Sequence, residues 1–140
     1  MNYRDTLEEI ELRTDLNHEF DSITKFMIGI CRSLQLSPTG REALEVVTQY
    51  LDGSVSDQEL ERIRITCWNS IKGRESDLTD LDVASTRAII CATYSRGLPD
   101  DKFSRLDAFE DFAMAAGVEP HNLVTALRTV FADVLNQATA

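Results

Sequence analysis

Histidine is scarce in this chain: His18 and His121 are the only two, and they lie in opposite halves. Neither belongs to an HExxH pair, and no calcium-loop pattern occurs, so a metal centre built in the usual ways has no ligands at the right spacing. Cysteine is limited to Cys31, Cys67 and Cys91. An odd number at wide spacing, with no CxxC pair, excludes a disulfide framework. Each sits in an apolar stretch (GICRSL, RITCWN, AIICAT) and is expected as a reduced, buried thiol packing like a small hydrophobe. Glycine-rich phosphate cradles of the GxxxxGK[ST] or GxGxxG kind are missing, as is a GxSxG nucleophile elbow. With three prolines and six glycines in 140 residues, little interrupts long regular elements. No apolar run approaches the roughly 20 residues that a membrane span needs. The opening MNYRDTLEEIELR lacks a basic region followed by an apolar one. The expected location is therefore the cytoplasm.

Positive charge is also short. Fourteen Lys and Arg face 24 Asp and Glu, giving a net charge of −10. The deficit is even along the chain, so it is no acidic tail. Nucleic-acid phosphate and anionic membrane both attract Lys/Arg surfaces and would repel this one. A basic protein is the electrostatically matched partner, although many proteins are acidic merely for solubility.

What is abundant is helical periodicity. Leu16, Phe20, Ile23, Met27, Ile30 and Leu34 are spaced alternately four and three apart, one face of a helix. Tyr3, Leu7 and Ile10 repeat the pattern earlier. Residues 1–36 are thus one long helix, or a pair broken near Thr14–Asp15. Ser37-Pro38 opens the next helix as N-cap and first residue, and Gly53 stops it. Ser56-Asp57-Gln58-Glu59 is a capping box, with Val55 placed to staple onto Leu60. Its helix carries Ile63, Cys67, Trp68 and Ile71 to Gly73. Thr79-Asp80-Leu81-Asp82 is a looser box, opening a helix to about Ser95. Pro99-Asp100-Asp101 starts another, with Phe103, Leu106, Phe109 and Phe112 inward, and Glu119-Pro120 starts the last, through Val134.

The fold expected is all-α: a single-domain antiparallel bundle of six to seven helices over 1–140, with an N-terminal helix or pair (1–36) and a five-helix core (37–140). Gly53, Gly73, Gly97 and Gly117 fall at intervals near a helix-pair repeat. The residues between them do not repeat.

Side chains able to do chemistry are scattered. The densest acidic group, Asp77, Asp80 and Asp82, lies at a helix start, where negative charge complements the helix dipole. Capping explains it more simply than a cation site. Asp100-Asp101 and Glu110-Asp111 read as solvated helix faces. His18 and His121 read as exposed, and Trp68, beside Cys67 on an apolar face, as core. Tyr50 and Tyr94 lie near helix ends, where a ring can pack inside while its hydroxyl stays wet. If the exterior is the working part, the residues to single out are Asp77, Asp80, Asp82, Asp100 and Asp101, with Tyr94 as an aromatic anchor.

One segment carries a resemblance. Arg41-Glu42-Ala43-Leu44-Glu45, then Tyr50-Leu51-Asp52-Gly53, then Ser54-Val55-Ser56 resembles bacterial helical immunity proteins. In that family a helix of the form R-x-A-L-E…W/Y-L-x-G runs into an x-[IV]-S turn and a second, Ala-rich helix. The likeness spans Gly40 to Lys72 and departs in the second helix, where Arg62-Ile63-Arg64-Ile65-Thr66-Cys67-Trp68 stands. It implies a small cytosolic protein that neutralises a bacterial toxin by binding it; it assigns no binding residue. The function expected is a non-catalytic inhibitor whose acidic surface occludes a cognate toxin or another basic protein, with no cofactor. The alternatives are a helical adaptor or regulatory module, monomeric or oligomeric, and a metal-dependent hydrolase.

Overall fold

The computed structural model describes residues 2–137, which form eight α-helices and one 3-10 turn, with no strand among them. The helices are α1 (Tyr3–Arg13), α2 (Phe20–Cys31), α3 (Pro38–Leu51), α4 (Asp57–Ser70), α5 (Leu81–Ala92), α6 (Lys102–Ala115), α7 (Pro120–Val130) and α8 (Ala132–Leu135). The first segment is a pair: α1 ends at Arg13, the chain passes through extended Thr14 and the turn Leu16–His18, and α2 begins at Phe20. Asp15 favours the break because its side chain accepts the Asn17 N–H at 3.0 Å, an alternative to helical pairing.

Local signals set most helix starts. Ser37 caps α3 ahead of Pro38. Ser56 and Glu59 exchange both hydrogen bonds of the capping box on α4. At α5 the cap is Asp80, which accepts from Asp82 and Val83 N–H, rather than Thr79. Helix ends differ from expectation in two places. Helix α5 stops at Ala92, so Thr93–Asp101 is non-helical, and the last helix breaks at Phe131, which turns its ring into the core.

Two helices make the centre. Helix α2 buries eight of its 12 residues, and α5 buries nine of 12. They pack on each other; α3, α6 and α7 also pack against α2, and α3, α4 and α6 against α5. Helix α5 fits there because Ala84, Ser85, Ala88 and Ala92 are small, which lets neighbouring backbones approach closely. Tyr3 ties α1 to α6 by donating its buried hydroxyl to the Leu106 carbonyl at 2.8 Å. The three cysteines are free and buried. Among the described residues no helix is long and apolar enough to cross a membrane.

Candidate functional site

Two groups of functional candidates form, one in the turn before α5 and one along the second half of α5, a helix of 12 residues. They adjoin through Arg87, which belongs to the second group and donates to the Glu75 carbonyl of the first at 2.7 Å.

The first group is the turn before α5. Asp77 accepts the Thr79 N–H at 3.2 Å, and Asp80 caps the helix. Arg74 binds both Asp80 (2.7 Å) and Asp82 (3.3 Å). Desolvation is the largest single influence on Asp80 and raises its pKa, but the Arg74 guanidinium and the Val83 and Asp82 backbone N–H donors together outweigh it and hold the carboxyl below its ordinary value. Glu75 and Asp77 neighbour Asp80 and Asp82 in sequence, and Leu81 is 46% exposed beside the end of α2 and the α6–α7 turn.

The second group lines a cavity of about 330 Å³ between α4, α5 and α6. Tyr94, Asp100 and Asp101 meet there, together with Trp68, Arg87, Arg105 and Phe112. Trp68 is 37% exposed rather than a core residue. Its ring covers the Arg87 guanidinium at 5.0 Å, and Phe112 covers the same guanidinium at 4.4 Å. Arg87 donates to the Glu75 carbonyl at 2.7 Å. Tyr94 lies between Arg64, 5.5 Å from its ring centre, and Arg105, at 4.8 Å. Asp101 is spent on capping α6, accepting the Ser104 N–H at 3.1 Å.

Asp100 is not a surface acid. Its side chain is 9% exposed; Lys102 donates to one carboxylate oxygen at 3.2 Å and Arg105 Nε to the other at 2.8 Å. Arg105 is more deeply buried still, and its Nη1 donates to the Cys91 carbonyl at 2.7 Å. Its Nη2 has no acceptor, an omission shared among buried side-chain atoms by Thr24 Oγ1 and Ser85 Oγ. Cys91 also lines the cavity; burial pushes its pKa up to about 12, so at neutral pH it is a thiol rather than a nucleophilic thiolate.

The sequence singles out Tyr94, Asp100 and Asp101 without placing them relative to one another, and it does not single out Arg87 or Arg105. A signal existed: Arg105 precedes Phe109 by four residues, on the inward stripe of its helix. His18 and His121 are exposed. Among the described residues no three His, Cys, Asp or Glu side chains are gathered as a metal site. No protein-family model matches the chain, and no curated protein and no solved structure matches it.

Proposed function

We propose that the chain is a non-catalytic protein-binding inhibitor, of the kind that bacterial helical immunity proteins represent, and that it covers a basic toxin with an acidic face. The observation that carries this reading is how the cations are used. Arg4, Arg13, Arg74, Arg96 and Arg105 are each paired with a carboxylate of the chain itself. Arg64 and Arg87 spend donors on backbone carbonyls. Since acids outnumber bases 24 to 14, the charge left for a partner is negative. Such a field accelerates encounter with a basic protein.

The turn before α5 suits this role better than the acids at the cavity. It carries Asp77, Asp80 and Asp82 on one exposed turn, whereas Asp100 is buried. Asp100, being buried and doubly paired, is removed from the partner-facing set.

The test is co-expression with a toxin domain encoded beside this chain, scored by growth, followed by association kinetics with the purified toxin. Wild-type protein restores growth. The double variant Asp77→Lys/Asp82→Lys associates about ten-fold more slowly at low salt, and the salt dependence of its on-rate shrinks. Asp80 is left in place so that the helix cap survives. Failure of wild type to protect, or a variant with an unchanged on-rate, sinks the reading.

A further inference from the structure

We propose that the cavity between α4, α5 and α6 binds a small planar carboxylate, such as an aromatic acid, with Arg105 as the partner of its charged end. This does not rest on the inhibitor reading, which places its partner on the acids of the turn before α5 and on none of the cavity's side chains.

The cavity, at about 330 Å³, stands at the small end of ligand sites, enough for one substituted ring. Its lining is partly aromatic: Trp68, Tyr94 and Phe112, each with a guanidinium over its ring, and Ile90 and Ala108 add apolar surface. A small ring packs against such a lining.

The charged end is specified by what Arg105 lacks. Nε is satisfied by Asp100 and Nη1 by the Cys91 carbonyl, while Nη2, shielded from solvent, has no acceptor. A buried donor of a charged group left unpaired is costly. The Tyr94 ring, 4.8 Å from the guanidinium carbon, supplies only its π electrons. Asp100 is already engaged at both oxygens, by Lys102 and by Arg105 Nε. A ligand carboxylate oxygen is the missing acceptor. Arg87, held between Trp68 and Phe112, places a second cation in the wall. Asp100 and Asp101 are the opposing charges there. Lys102 and Arg105 meet the first, and the second is turned to the start of α6. Nη2 is shielded from solvent, so binding requires a neighbouring side chain to move, and Tyr94, over the guanidinium and in the non-helical stretch Thr93–Asp101, is the group to turn aside.

Trp68 is the chain's one tryptophan and it lines the cavity, so its fluorescence reports occupancy. The protein is titrated with benzoate, and with benzyl alcohol and benzamidine as the neutral and cationic counterparts of the same ring. Benzoate is expected to give a saturable change with a Kd of about 1 mM, as suits a fragment of that size. The other two bind at least about ten-fold more weakly, because neither offers Arg105 a carboxylate. Arg105→Met weakens benzoate by about ten-fold or more. Should that variant fail to fold, judged by circular dichroism, Ala108→Leu decides: it fills the cavity and leaves every hydrogen bond of the site intact. The expected result is loss of benzoate binding. A response to benzoate that never saturates, benzamidine binding as tightly as benzoate, or Ala108→Leu retaining wild-type affinity overturns the proposal.

Discussion

Tyr50 shows how much one side chain can organise here. Its hydroxyl donates to Asp57 at 2.6 Å and accepts the backbone N–H of Arg96 at 3.0 Å. The Arg96 guanidinium in turn lies over the Tyr50 and Phe20 rings and pairs with Asp21 at 2.8 Å. One oxygen therefore joins α3 to the start of α4 and to the segment after α5. The expectation of a wet hydroxyl fails because the chain returns to Tyr50 46 residues later and closes over it. Tyr50→Phe leaves Arg96 N–H without its acceptor and Asp57 without a donor. The expected loss is about 1–2 kcal/mol in urea denaturation. A change below about 0.3 kcal/mol would mean that water replaces both partners at no cost. Trp68 makes the same point in reverse: an apolar neighbour in sequence, Cys67, is buried, yet the next residue on the turn faces a groove rather than the core.

At the level of elements, helix starts are written in short-range chemistry. Ser56→Ala should cost about 1 kcal/mol by removing one arm of the capping box. Asp80→Ala should cost at least as much, because the same carboxylate both caps α5 and binds Arg74. Thr79→Ala should cost clearly less, since Thr79 lies outside the cap. Thermal melts of the three variants rank them. If Thr79→Ala is the most damaging, the cap has been assigned to the wrong residue. The helix stops divide in a similar way. Gly53, Gly73 and Gly117 adopt φ between 84° and 100°, a conformation that disfavours any other residue, whereas Gly97 does not adopt positive φ. Gly117→Ala is therefore expected to destabilise by about 1 kcal/mol and Gly97→Ala by less, measured in the same melts. The even spacing of the four glycines thus hides two different uses and gives no support to a repeat.

For the whole molecule, burial of neutral titratable groups dictates the response to base. Tyr3, Tyr50, Cys31, Cys67 and Cys91 are all raised above their ordinary pKa values, with desolvation as the largest cause, Cys67 to about 11. Each holds its proton more tightly folded than unfolded. Their contribution is complete below the unfolded pKa values, about 8.5 for thiols and 10 for phenols, and is lost as pH rises through the folded values. Tm should accordingly stay level near neutrality and fall steadily above about pH 9. A Tm that holds to about pH 11 would show that these groups are hydrated in the folded chain. Asp80 has the opposite sign: lowered in the fold, it adds stability above its unfolded value and loses it in acid, but exposure keeps that contribution small.

The sequence alone settled what depends on neighbours a few residues apart. Helical class, the Ser37 and Ser56 caps, the Gly53, Gly73 and Gly117 stops and most of the buried stripe all follow from interactions spanning one turn, whereas the choice between one long helix and a pair broken near Thr14–Asp15 stayed open until the structure showed the break. Tertiary structure decided which faces meet, and with that which charges are spent. Arg74 offsets Asp80 and Asp82, Asp100 disappears beneath Lys102 and Arg105, and Arg105 reaches the Cys91 carbonyl 14 residues away in sequence while its last donor is left without an acceptor. The physical reason is that a hydrogen bond or ion pair between distant residues carries no periodic trace. It exists only when packing has removed water from both partners and brought them within about 3 Å.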